Sequence, residues 1–468
     1  MQKAYKIILT TFLLSVFILS TTKVIFAQQN NSTDIQEELK IQLQIRPRAE
    51  LRNGVFTPIL QGEQPAAFIS QRNRLGLIYS KGNQITTSIT LQMLNVWGND
   101  AQVQQTANNV SLFEAWVQMA LSKKMQIKMG RQILSYDDER ILGSLDWHNA
   151  GRKHDAVLLM HEKGKLKTHI GLAFNQNTEK VNNTFFNDAQ SQPYKSLQFA
   201  WLQYKVNDSL KFTTLLMNQA KQKSTDSLYA TTQTFGVNAF YKTAKLNATA
   251  SVYLQTGKSN IKNAAAINTS AWMASLYGNY SVSKKFTLGI GSDYLSGMGM
   301  GSTSNKMTAF NPLYGTHHKF YGYMDYFYVA SPHKNTGLWD SYLNASLKAD
   351  KKTNFQIAVH HFVSPVSILN YQNKAASAYL GNEIDLSFNY SLDNGAKIIG
   401  GVGQMLPSAS MKYIKNIPDS KEMKPMQNSL NSYSSSGAID NKSNIANQKV
   451  YLFVGTSDTT VGQNPVTA

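Results

Sequence analysis

The sequence predicts an all-β protein: a transmembrane antiparallel β-barrel of about 18 strands, with short periplasmic turns and long extracellular loops. Three observations carry this prediction. Apolar and polar residues alternate with period two over runs of ten or more residues, which is long for a strand of a soluble protein. Short polar connections alternate with long ones, as they do along an outer-membrane barrel. Finally, only 16% of the 468 residues are charged while 42% are hydrophobic, with 23 Tyr, 21 Phe and 6 Trp; soluble chains carry roughly 25% charged residues.

The N-terminus comes first. Lys3 and Lys6 precede an apolar run over 7–19, with a possible cleavage point after Ala27, so 1–27 reads as a secretory signal peptide. No other segment reaches the ~18 uninterrupted apolar residues that a spanning helix needs. A short periplasmic segment is expected over 28–37, the barrel over 38–455 and a periplasmic tail over 456–468. About ten residues before the first strand leave no room for a separate plug domain, so a gate would have to come from an outer loop, 297–337 or 407–448, or from the tail.

The first strand sets the pattern for the others. Leu39, Ile41, Leu43, Ile45, Ala49 and Leu51 share one face, and Lys40, Gln42, Gln44, Arg46, Arg48, Glu50 and Arg52 share the other. The same alternation recurs over 84–93, 246–255 and 383–390. Short turns fall near 80–83, 122–124, 162–165, 207–209, 243–244, 283–285, 350–352 and 393–395, and longer connections over 53–67, 97–110, 136–152, 176–195, 221–232, 257–268, 297–337, 364–379 and 407–448. Eight short and nine long connections imply 18 strands. In lipid, unpaired backbone groups have no water to bind, so an all-β chain must close on itself; the polar phase then lines a water-filled lumen. Trp97, Trp147, Trp272, Tyr280, Trp339 and Tyr390 are candidates for the interfacial aromatic girdles.

Charge narrows the function classes. With 46 Lys+Arg against 28 Asp+Glu the net charge is +18, and removal of Lys3, Lys6 and Lys23 with the leader leaves +15. An exported chain seldom meets nucleic acid, so the basic surface points to an anionic partner outside the cytoplasm. The absence of cysteine excludes a disulfide scaffold, cysteine metal sites and a thiol nucleophile.

The eight arginines are Arg46, Arg48, Arg52, Arg72, Arg74, Arg131, Arg140 and Arg152, and none follows. Strand parity turns Arg46, Arg48, Arg72 and Arg74 inward. Guanidinium groups at two-residue spacing offer rows of forked donors for carboxylates, and a pore lined with one sign of charge concentrates the opposite ion. The same arginines could pair with Glu50, Glu114, Asp138, Glu139 or Asp146 as a structural ladder, and both roles can hold at once. Arg131 shares parity with Met125, Ile127 and Met129, toward lipid, unless a bulge at Gly130 re-aims it or it lies beyond the apolar band.

Histidines offer weaker signals. His148 and His154 with Asp146 and Asp155, or His317 and His318, lack a firm metal-ligand spacing, and His360 and His361 on a strand point to opposite faces. A structural role is expected for them, with no metal and no cofactor. Neither a Gly-x-Ser-x-Gly nor a phosphate-cradling Gly-x-x-x-x-Gly-Lys-Ser/Thr pattern occurs, and Gly297, Gly299 and Gly301 read as a flexible loop. No catalytic residue and no enzyme activity are predicted.

Several motifs occur together in order: Gly130-Arg131-Gln132, then Asp137 through Gly143 (DDERILG), then Asp146 through Asp155 (DWHNAGRKHD), preceded by Arg46 through Arg52 (RPRAELR) and Gln71 through Gly76 (QRNRLG). In these the chain resembles the alginate export family of outer-membrane proteins, most strongly over 38–175. The resemblance implies an 18-stranded barrel in the outer membrane of a Gram-negative bacterium, embedded in outer-membrane lipid, with an arginine-rich, electropositive constriction that passively exports an anionic polysaccharide, an alginate-like polyuronate. It carries Arg46, Arg48, Glu50, Arg72, Arg74, Arg131, Asp138, Arg140, Asp146 and Arg152 over as candidate lumen residues. A periplasmic scaffold or synthase complex is the implied partner. The lack of arginine after Arg152 departs from the family and leaves Lys211, Lys242, Lys348 and Lys397 to charge the far wall. The alternative is a general or anion-selective porin for small solutes.

Overall fold

Alternating β-branched, aromatic and small polar residues pair edge to edge through the strands of the described residues. The computed structural model describes residues 18–26, 36–60, 62–103, 110–176, 178–182, 194–222, 229–259, 267–327, 334–417, 428 and 431–436. In chain order the strands are β1 (Ile18–Phe26), β2 (Glu37–Arg52), β3 (Ala66–Lys81), β4 (Ile85–Val96), β5 (Val110–Ser122), β6 (Met125–Gln132), β7 (His154–Lys163), β8 (Leu166–Phe174), β9 (Ser196–Lys205), β10 (Leu210–Gln222), β11 (Tyr229–Lys242), β12 (Leu246–Ser259), β13 (Ile267–Ser281), β14 (Phe286–Leu295), β15 (Lys306–Met307), β16 (Leu338–Lys348), β17 (Thr353–Val363), β18 (Ile368–Leu369), β19 (Ala375–Ala376), β20 (Tyr379–Ser391) and β21 (Ala396–Pro407). Setting aside the short β15, β18 and β19, eighteen strands pair antiparallel with their neighbours, and β1 joins β21 to β2, so the ladder returns to its start. This is the barrel the alternation requires.

One of the eighteen places differs from the sequence reading. Residues 18–26, assigned above to the leader, form β1, with Ile25 opposite Ile41 of β2 and Leu19 opposite Ile398 of β21. Without a strand here β2 and β21 would turn unpaired backbone groups toward lipid. The segment is the right length and rich in β-branched residues, so its sequence suits the gap. Residues 1–17 and 27–35, and with them the rest of the leader and most of the periplasmic segment, lie outside the described residues, as do the end of the expected barrel over 437–455 and the tail 456–468.

The wall is inverted relative to a soluble protein. Ile290 is 64% exposed on the outer face while Asp293, three residues on, is wholly buried inside. Leu276, Leu343 and Val402 follow Ile290, and Arg72, Asp340 and Glu383 follow Asp293. Such surface is stable only against hydrocarbon.

The lumen is not uniformly polar, however. On β7 to β13 the inward phase includes Leu158, Leu197, Phe199, Trp201, Leu215, Met217 and Met273, which cluster with Leu134, Ile141, Leu142 and Tyr314 from two outer loops. The loop over 133–153 and residues 296–327 of a second outer loop fold inward and zip together: Tyr314 N–H donates to Ile141 O at 3.0 Å, and Gly143 N–H to Tyr314 O at 2.9 Å. The loop over 53–65 joins them through Phe56 N–H to Met324 O at 2.9 Å. Apolar side chains that face inward on these strands are therefore a packed core beneath the loops.

Candidate functional site

The site is built where the loop over 133–153 meets β2 and β3. In the β2–β3 register Arg46 stands opposite Arg72 and Gln44 opposite Arg74, so three guanidinium groups share the inner face. Loop 133–153 lies across them. Arg72 Nη2 is 2.8 Å from the Asp146 carboxylate, Arg74 Nη1 is 3.4 Å and Arg46 Nη1 is 3.8 Å from it. The same loop offers backbone oxygens: Arg46 donates to Asp146 O at 2.7 Å, Arg72 to Asp146 O at 3.1 Å and Arg48 to Trp147 O at 2.7 Å. Gln44 and Gln92 hold the remaining edges of Arg72 and Arg74, accepting from Nε at 2.9 and 2.8 Å. The arginine side chains are nearly closed off from water, but the Asp146 side chain is 60% exposed. Three buried cations thus meet one accessible carboxylate.

Local backbone features make this fit possible. A register shift after Thr90 leaves Phe113 out of the β4–β5 ladder; the bulge turns its ring inward, where Arg74 Cζ lies 3.5 Å from the ring centroid. Gly151 has φ +66°, and a Cβ there would lie 2.7 Å from Arg74 Nη2, so only glycine lets the loop descend onto the arginines. Trp147 stacks on His318 with centroids 4.2 Å apart, and the Arg48 guanidinium lies 5.0 Å from its ring. These contacts tie Trp147, itself 41% exposed, to the inner loop rather than to a girdle; Trp97, Trp272, Trp339, Tyr280 and Tyr390 are exposed as well. Burial lowers the pKa of His148, and Arg48, Arg152, Arg46 and Arg52 lower it further.

The other candidates divide. Glu50 bridges Arg48 at 2.7 Å and Arg52 at 2.8 Å. Arg140 is buried between Asp138 at 2.7 Å and Asp293 of β14 at 2.9 Å, and Arg152 donates to Gly315 O at 2.9 Å, so both tie loop to wall. Arg131 is not brought to the lumen. Its β6–β7 register runs unbroken through Gly130, which keeps its outward parity; it forms a bidentate pair with Asp155 at 2.8 and 2.9 Å, half exposed at the outer strand ends.

The sequence reading missed an acidic wall facing inward from β14 to β20. His360 Nδ1 lies 3.0 Å from Asp340, its Nε2 is 3.8 Å from Asp385, and Asp293 accepts from Ser275 at 2.5 Å. Glu383 and Asp385 accept backbone N–H groups of Met324 and Tyr323. Inward parity of charged residues on four neighbouring strands was the available signal. His361 points to the opposite face and meets Asn382 at 2.8 Å. Among the described residues no group of three His, Cys, Asp or Glu is arranged to hold a metal.

An 18-stranded barrel with an apolar exterior, short turns at one end and loops folded into its lumen defines a class: a channel of the Gram-negative outer membrane, which moves solutes rather than transforming them. The chain belongs to the alginate export family, whose description, "Alginate export", matches residues 37–409. No curated protein matches the sequence. Among solved structures the fold is similar to Pseudomonas aeruginosa OpdK, crystallised with vanillate, at a TM-score of 0.51 and 8% identity over 79% of this chain and 99% of that one. It is also similar to OccK9 (OpdG) of the same organism, at a TM-score of 0.51 and 12% identity over 79% and 98%.

Proposed function

We propose that this channel passively exports an anionic exopolysaccharide, an alginate-like polyuronate, through an electropositive constriction. The observation that carries the reading is the convergence of Arg46, Arg72 and Arg74 on the accessible carboxylate of Asp146. The Asp146 side chain occupies the place that a uronate carboxylate would take, and forked guanidinium donors suit that group. The polymer moves from one carboxylate-binding step to the next while its synthesis supplies the drive, so no cofactor is needed. Arg48, Glu50, Asp138, Arg140 and Arg152 hold the loop over this path, and a periplasmic scaffold or synthase complex would deliver the chain.

A second reading, an anion-selective porin for small solutes, is favoured by the inward-folded loops, because residues such as Tyr314, Tyr321 and Phe327 are buried inside the barrel and narrow the passage. Single-channel recording of the refolded protein separates the two. Block by polyuronate but not by neutral glucan, lost when Arg46, Arg72 and Arg74 become Ser, supports export. Anion selectivity with no polymer block supports the porin.

A further inference from the structure

The antiparallel meander gathers every short turn at the periplasmic end of the barrel. The eight spans 81–85, 122–125, 162–167, 205–211, 242–246, 281–286, 348–353 and 391–397 carry 16 lysines, no arginine and only four acids, Glu162, Asp208, Asp350 and Asp393. Lys211, Lys242, Lys348 and Lys397, expected above to charge the far wall of the lumen, all fall in these spans, apart from the arginine cluster on β2 and β3.

We propose that these lysines form a loading ring at the periplasmic mouth that captures a polycarboxylate before it reaches the arginine cluster. The inference rests on the export reading and adds where, and from which side, the polymer is first bound. Parity decides the direction in which the ring faces. Lys211 shares the inner phase of Thr213 and Leu215, Lys242 that of Asn238, Lys285 that of Asp293, Lys348 that of Asp340 and Lys397 that of Met405, and all of those reference residues are buried inside the wall. A ring meant for lipid headgroups would use the outer phase. Among the described residues no carboxylate lies within 4.0 Å of these five ammonium groups, and all five are exposed.

The residue type fits a capturing role. Lysine presents a hydrated point charge on a flexible stem, with none of the fixed fork that favours a particular carboxylate geometry. Such a ring attracts a polyanion by its field and then lets it slide, while the forked arginines deeper in the lumen bind it. Fields of one sign at a low-dielectric mouth raise association rates by roughly 10 to 10³-fold and are weakened by salt.

The test is one-sided addition of polyuronate to single channels of the full-length protein in a planar bilayer. A single cysteine introduced in an outer loop fixes orientation, because the chain has none. For the wild type the block frequency is expected to be about tenfold higher for polymer added on the periplasmic side, and to fall steeply as salt rises. In a K211Q/K242Q/K285Q/K348Q/K397Q variant that asymmetry should vanish while each block lasts as long as before; Arg at the same five positions should restore it. Equal block frequency from the two sides in the wild type, or a Gln variant within twofold of it, overturns the ring. If polymer blocks from neither side, the export reading falls, and the ring is then judged on small-anion current: loss of rectification in the Gln variant sustains it and unchanged rectification removes it. Unchanged block with poorer insertion into phosphatidylglycerol vesicles would assign the lysines to lipid headgroups instead.

Discussion

Arg72 and Asp146 lie 74 residues apart in sequence and 2.8 Å apart in space, the guanidinium wholly buried and the carboxylate open to water. The asymmetry matters because a buried cation without its partner is costly, while an exposed carboxylate gives up little when it leaves. On the proposed export reading, an incoming carboxylate replaces Asp146 at this pair.

Asp146→Asn should leave three guanidinium groups with a neutral neighbour. We expect the reversal potential in a potassium chloride gradient to move toward chloride, and polyuronate to block at several-fold lower concentration. An unchanged reversal potential would show that Asp146 does not screen the passage.

Arg72→Lys keeps the charge but loses the fork that reaches Gln44, the Asp146 carboxylate and the Asp146 backbone oxygen together. The expected cost is about 1–2 kcal/mol in urea unfolding from lipid vesicles, since each lost hydrogen bond is worth about 1 kcal/mol and the ion pair is half open to water. Arg72→Gln should cost more and also reduce anion selectivity.

Gly151→Ala should lift the loop off Arg74, because the added Cβ meets Arg74 Nη2 at 2.7 Å and the Phe113 ring at 3.0 Å from a backbone at φ +66°. A larger and noisier single-channel conductance is the expected outcome, together with about 1 kcal/mol of destabilisation.

The pH dependence follows from His148, whose pKa is lowered first by burial and then by the arginines around it. A lowered pKa means that the ring gains its positive charge at a lower pH than a free imidazole does. Its contribution to anion selectivity should rise on acidification, at a lower pH than a free imidazole would give. In His148→Gln that rise should be absent, as measured by reversal potentials across the titration.

Arg131→Ala serves as the contrasting case. Its pair with Asp155 faces outward and is exposed, so selectivity should be unchanged and stability should fall by less than about 1 kcal/mol. A change in selectivity would mean that Arg131 reaches the lumen.

Much of the barrel was legible in the sequence because strand parity is a local property. Period-two alternation in β2, β4, β12 and β20 separates lipid from lumen one residue at a time, and Arg46, Arg48, Arg72 and Arg74 could be assigned inward from their neighbours alone. His360 and His361 were separable for the same reason. The family motifs over 130–155 marked the loop that matters without showing where it lies.

What the sequence alone determined was the class: an exported, cysteine-free, basic barrel of the outer membrane, since alternation, turn spacing and composition each follow from the same demand that backbone groups be paired in lipid. The tertiary structure decided what fills the lumen. Loops have no period, so nothing local says that 133–153 turns inward, that Asp146 meets three arginines, or that apolar residues of β7 to β13 pack beneath Tyr314. Nor does parity alone pair Asp340 with His360, or tell that Arg131 is held outside by Asp155. Those contacts join residues far apart in the chain, and only closure of the barrel brings them within bonding distance.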